Sequence, residues 1–170
     1  MVDPPEDQPS TPEEGAEGGG VQATPFQIVV NAQYIKDLSF ENPRAPASLM
    51  ASKEQPQISV DVKVNARKLQ EPAYEVALTV RVEAKVGGEV GFIAELVYGG
   101  VFTLADMPDE TLRPVLLIEC PRLLFPFARR VISDVTRDGG FPPLLINPID
   151  FAELYRRQFA LEEQAPAGEA

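Results

Sequence analysis

Four stretches of this chain alternate apolar and polar residues with a period of two, and that alternation constrains the fold more than any other feature. In Phe26–Phe40 the even positions hold Phe26, Ile28, Val30, Ala32, Tyr34, Lys36, Leu38 and Phe40. The odd positions are mostly polar: Gln27, Asn31, Gln33, Asp37, Ser39 and, just beyond, Glu41. Ile58, Val60, Val62 and Val64 alternate with Ser59, Asp61, Lys63 and Asn65. Tyr74 to Val86 repeats the pattern, with Glu75, Thr79, Arg81, Glu83 and Lys85 in between. Val90–Leu104 makes a fourth strand, joined to the third by Gly87-Gly88, a dipeptide suited to a tight primed turn. Successive side chains of a strand point to opposite faces. Alternation in all four predicts an antiparallel sheet with one buried face and one that meets water.

The second half of the chain changes character. Pro114, Pro121 and Pro126 punctuate an apolar stretch, so Leu112–Leu124 is expected to be short or broken helix. Pro126 suits the first turn of a helix, where its missing N–H costs nothing. From there Phe127, Val131, Ile132 and Val135 fall on one helical stripe, which Gly139-Gly140 ends. Phe141–Pro148 reads as a loop, and Asp150 followed by Glu153 as a capping box for a last helix, Phe151–Phe159. Strands followed by helices predict an α+β domain: a four-stranded antiparallel sheet with two helices packed on one face. The other face carries Ile35, Val97 and Ile93 mixed with Asp37, Glu41 and Glu95, a surface fit either for solvent or for docking.

Charge sets the ends of the chain apart from its middle. The formal net charge is −11, yet residues 1–25 hold six acids and no base, and residues 160–170 add Glu162, Glu163 and Glu169 without a base. These segments, 1–25 and 161–170, are expected to be disordered acidic tails around a domain at 26–160. Nearly balanced charge in that domain excludes the basic patch that nucleic acid requires. No apolar run approaches the ~20 residues of a membrane span, and residues 1–25 lack the basic and apolar regions of a secretory signal. With one cysteine, Cys120, no intrachain disulfide can form. A reducing, cytoplasmic setting fits.

The same inventory argues against an enzyme. Without any histidine, the usual general base and the commonest metal ligand are both missing. Neither Gly87-Gly88 nor Gly99-Gly100 has the spacing of a phosphate-binding loop. Asp37 and Glu41, four residues apart on a strand, stand roughly 13 Å apart, too far for a glycosidase pair. Cys120 has no activating neighbour in sequence and reads as a small buried hydrophobe. Neither a catalytic residue, a metal nor a cofactor is expected, which leaves binding through shape and apolar surface.

Several segments together resemble the SecB family of bacterial protein-export chaperones. They are Phe26-Gln27-Ile28 through Tyr34-Ile35-Lys36-Asp37-Leu38-Ser39-Phe40-Glu41-Asn42-Pro43, Tyr74-Glu75-Val76, and Gly99-Gly100-Val101-Phe102. Cys120-Pro121-Arg122-Leu123-Leu124-Phe125-Pro126-Phe127-Ala128-Arg129 is the most specific, and Gly140-Phe141-Pro142 through Asn147-Pro148-Ile149-Asp150-Phe151 completes the set. The resemblance implies a homotetramer, a dimer of dimers with long helices between two eight-stranded sheets. It implies an ATP-independent holdase that keeps unfolded precursor polypeptides translocation-competent and delivers them to the SecA motor. Asp37, Glu41, Ile93 and Glu95 would then dock SecA. Phe40, Tyr74, Phe102, Leu104, Leu144 and Phe151 would line client grooves, although each is equally well explained as core. Ala94, Leu96 and Tyr98 correspond to positions that affect the dimer–dimer contact. Two alternatives stand beside this reading: an α+β carrier of a small apolar ligand, and a SecB-like chaperone that guards an antitoxin.

Overall fold

The alternating runs become a single antiparallel sheet in the order β1-β4-β3-β2. Its strands are β1 (Ile28–Glu41), β2 (Gln57–Lys68), β3 (Ala73–Val86) and β4 (Glu89–Leu104). This computed structural model describes residues 26–50 and 54–164, with side chains described up to residue 160. The expected tail at 1–25, and residues 165–170 of the other, lie outside the described residues.

β3 and β4 follow the expected phase. Tyr74, Val76, Leu78, Val80, Val82 and Ala84 of β3 are all buried on one face, as are Phe92, Ala94, Leu96, Tyr98, Phe102 and Leu104 of β4. Gly87 and Gly88 turn the chain between them with φ of 61° and 80°, which a residue with a Cβ adopts only under strain.

β1 departs from the expected phase in its middle. Its register against β4 shifts between Val30 and Ala32 and again between Ile35 and Asp37, so Asn31 and Lys36 are extra residues at two bulges. Each bulge reverses the phase. Gln33 and Ile35 therefore pair with Gly100 and Tyr98 on the helix-covered side, whereas Tyr34 pairs with Gly99 on the outer side. The expectations for Tyr34 (inward) and Ile35 (outward) are both reversed. The second bulge restores the original phase, so Leu38 and Phe40 point inward and Asp37 and Glu41 outward, as expected.

The helical half is longer than its prolines suggest. Helix α1 (Asp109–Pro114), a π segment (Val115–Glu119) and α2 (Cys120–Asp138) follow one another without a break. The helix thus begins well before Pro126, which lies inside α2. A wider turn, with the Cys120 N–H reaching back to the Val115 carbonyl, immediately precedes Pro121. Such π turns absorb an irregularity that would otherwise break the helix. Cys120, Leu124, Ala128 and Ile132, four residues apart, have no exposed surface and pack on β3 and β4. Burying a Leu or Ile in this way is worth about 1.5–3 kcal/mol. The expected stripe is rotated toward its edge: Ile132 is buried, Val131 and Val135 are half-buried, and Phe127 is exposed.

Past Gly140, at φ 89°, residues 141–150 form a loop that leads into α3 (Phe151–Gln164). Asp150 caps it: its carboxylate accepts the Glu153 N–H at 3.0 Å. α3 continues past the expected end at Phe159 and takes in residues 161–164, so that stretch is helical.

Candidate functional site

The outer face of the sheet brings together the four residues expected to dock a partner. Asp37 pairs with Val97, Glu41 with Ile93, and Glu95 with Ser39, which lies between Asp37 and Glu41 along β1. Glu95 is thus diagonal to both of the β1 carboxylates, and Ile93 adds a half-buried apolar centre. Asp37 and Glu41 are exposed and make no ion pair among the described residues. Glu95 pairs instead with Arg81 on β3, which also lies 3.7 Å from Glu83.

Further along the same face sits a carboxylate that sequence reasoning passed over. Glu75 exposes only 4% of its side chain and accepts hydrogen bonds from the Tyr34 hydroxyl, the Arg67 guanidinium and, at 3.0 Å, Lys36 Nζ. These donors pull its carboxyl down to about 2. The Tyr34 hydroxyl moves the other way, raised first by burial and then by Glu75. Tyr34 reaches Glu75 by crossing β4 at Gly99, where a Cβ would lie 2.7 Å from its ring. Residues from β1, β3 and β2 are clasped together over a glycine of β4. A glycine inside a strand is the sequence signal for such a close approach, and Gly99-Gly100 provides it.

On the helix side, the six groove candidates do not share one recess. Phe102 and Phe151 are core, at 0% and 1% exposure. Tyr74 and Leu104 are buried but border a recess of about 360 Å³ with Met107 and Leu112. Phe40 joins Phe92 and Phe141 in an aromatic cluster, with ring centroids 5.5 and 6.3 Å from its own. Leu144 is half-buried, its N–H bonded to Thr136 Oγ1 at 3.0 Å. A larger cleft of about 540 Å³ contains none of the six. Val64 and Ala66 of β2, Leu112, Leu116 and Leu117 of the long helix, and Tyr155 and Phe159 of α3 line it, with Asp109 and Arg113 at its rim. Tyr155 and Phe159, aromatic and four residues apart, are the sequence signal that could have found this wall; the helical course of residues 109–119 that faces them had none.

Ala94 and Leu96 are fully covered by the chain's own helix, and Tyr98 stacks on the exposed Phe127 ring at 6.4 Å. Around that stack Val30, Ile35, Leu38, Leu123 and Phe127 expose apolar surface on the helix side. Cys120 is wholly buried, and burial pushes its thiol up to about 12, as its reading as a small hydrophobe requires. Among the described residues, no three His, Cys, Asp or Glu side chains gather to hold a metal ion. No described helix is long and apolar enough to cross a membrane.

The family model described as preprotein translocase subunit SecB matches residues 21–162 of the chain. The chain belongs to the SecB family. It is 54% identical over 145 residues to the protein-export protein SecB of a Bradyrhizobium species, covering 85% of this chain and 88% of that one. To the SecB of Agrobacterium fabrum it is 54% identical over 152 residues, covering 89% and 94%. To that of Granulibacter bethesdensis it is 53% identical over 159 residues, covering 89% and 92%. Among solved structures, a SecB-like chaperone of Mycobacterium tuberculosis, in complex with a ChAD peptide from an antitoxin, superposes with a TM-score of 0.60. At 15% identity, over 72% of this chain and 90% of that one, the likeness shows a shared fold.

Proposed function

We propose that this SecB-family chain is an ATP-independent cytoplasmic holdase, not an enzyme, which binds unfolded precursor polypeptides and delivers them to the SecA motor. The observation that carries this reading is the uncovered apolar surface on the helix side. The cleft between β2, the long helix and α3 opens to solvent along an edge strand, which suits a long chain passing through better than a small enclosed ligand. It continues onto Ile58 and Val60 of β2, both more than 40% exposed. Several weak apolar sites that share one client sum to useful affinity through effective concentration.

The working form is a homotetramer, a dimer of dimers. β1 is an edge strand whose far side pairs with no strand among the described residues, and the apolar group around Ile35, Leu38 and Phe127 offers the surface that a second copy would bury. Tyr98 supports that contact through its stack on Phe127, whereas Ala94 and Leu96 act only by seating the helix. Clients lie in the cleft and in the recess beside Tyr74 and Leu104, and extend over Phe40 and Leu144; Phe102 and Phe151 belong to the core on the same side of the sheet. SecA docks on Asp37, Glu41, Ile93 and Glu95. The first two are exposed and make no ion pair among the described residues, which supports that assignment, since a partner's cation meets little competition there.

The test is the refolding of an unfolded precursor in the presence of the chain, with mass in solution followed by light scattering. A particle near four times 18.6 kDa that slows refolding without nucleotide is the expected result. A monomer indifferent to unfolded protein would overturn the proposal in favour of a small-ligand carrier. A holdase that binds no SecA would point to the antitoxin-guarding alternative.

A further inference from the structure

Arg81 stands where a docking surface for cations has least use for it. It lies on the outer face of β3, directly opposite Glu95 on β4 and Asp61 on β2, with Glu83 two residues along its own strand. Its guanidinium holds Glu95 in an ion pair and reaches Glu83 at 3.7 Å. The neighbouring acids are also engaged: Lys85 takes Glu83 at 2.9 Å, and Lys63 lies 3.8 Å from Asp61. Of the three carboxylates assigned to docking, only Glu95 is already paired among the described residues.

We infer that Arg81 is a specificity-determining residue of the docking face, an internal cation that occupies Glu95 until a cationic partner displaces it. The inference rests on the SecA-docking reading given above. Both side chains of the pair are exposed by more than 40%, so water and salt screen it and it opens at small cost. It is strong enough to compete with a single stray lysine. It is too weak to exclude a partner that also engages Asp37, Glu41 and Ile93.

The test is the dissociation constant for full-length SecA, measured by calorimetry at fixed salt on the wild-type chain, Arg81→Gln, Glu95→Gln and the double variant. Arg81→Gln should bind SecA about three- to fivefold more tightly, the range of an exposed ion pair. In the Glu95→Gln background the same substitution should change affinity by less than about twofold, because the pair no longer exists. Arg81→Lys, which keeps the charge but loses the fork, should fall between. Weaker or unchanged binding by Arg81→Gln overturns the inference, and so does a gain that persists without Glu95. The docking reading fails separately, when Asp37→Asn and Glu41→Gln leave SecA binding intact or the wild type binds no SecA.

Discussion

Glu75 and Glu41 are the same residue type on the same face of one sheet, and their surroundings make them opposites. Glu75 is buried beneath a tyrosine that crosses a neighbouring strand, with three donors from two other strands closing on its carboxylate. Glu41 lies at the end of β1, exposed and unpaired among the described residues. The first holds strands together; the second is held by none of the described residues. A carboxylate's role on a sheet face is thus set by how many donors its neighbours aim at it, and a one-residue bulge decides which neighbours those are. Lys36, the extra residue of the second bulge, binds Glu75 and stands next to Asp37. The boundary between the two regimes falls between adjacent residues.

The strongest way to break this contrast is to fill the space at Gly99. Gly99→Val would push its side chain into the Tyr34 ring, which an alanine Cβ alone would approach to 2.7 Å. Tyr34 would have to leave Glu75, so overpacking and a lost hydrogen bond combine. The expected cost is about 2–3 kcal/mol, measured by urea unfolding at fixed protein concentration. Glu75→Gln should cost less, about 1–2 kcal/mol, because Lys36 and Arg67 are 46% and 64% exposed and recover water. The pH dependence carries a definite sign. Glu75 titrates near 2 in the folded chain against an ordinary 4.5, so the unfolded state binds more protons in between. Its contribution is fully present above pH 4.5 and is lost as pH falls toward 2. The gap between wild type and Glu75→Gln, measured by unfolding at pH 7, 4 and 3, should therefore shrink as pH falls. A gap that stays constant would mean the clasp acts through shape and not through charge.

Much of this arrangement was legible beforehand, because burial of one sheet face enforces a period of two wherever a strand is regular. β3, and β4 from Phe92 onward, are regular and keep the expected phase; only at Gly91, the extra residue of a bulge near the start of β4, does the alternation slip. β1 was read correctly at both ends and inverted in the middle, and the warning lay in Lys36, a lysine at a position the alternation assigned to the interior. A phase that buries an unpaired ammonium is in conflict with itself, and a bulge resolves it. The long helix was hidden for another reason. Its prolines argue locally against a helix, while Cys120, Leu124, Ala128 and Ile132 pay for it by packing on the sheet, and packing outweighs propensity. With Leu112–Leu124 read as short or broken helix, the cleft against Tyr155 and Phe159 had no second wall.

The smallest expected change in stability belongs to Glu41→Gln, and that smallness makes it informative. The side chain is exposed, and no described residue donates to it, so folding stability should stay within about 0.5 kcal/mol of wild type. Retardation of client refolding should be equally unaffected, because the recesses proposed for clients lie on the other side of the sheet. Any loss of SecA binding in this variant is then a loss of direct contact, with no unfolding or client effect to blame. The expected loss is about fivefold or more, and it should fade as salt rises, since an exposed charge acts through a screened field. An equal loss of SecA binding in Glu75→Gln would erase the contrast from the other direction. It would show that the clasp at Glu75 positions Asp37 and Glu41 for their partner, and that the two regimes on this face act as one.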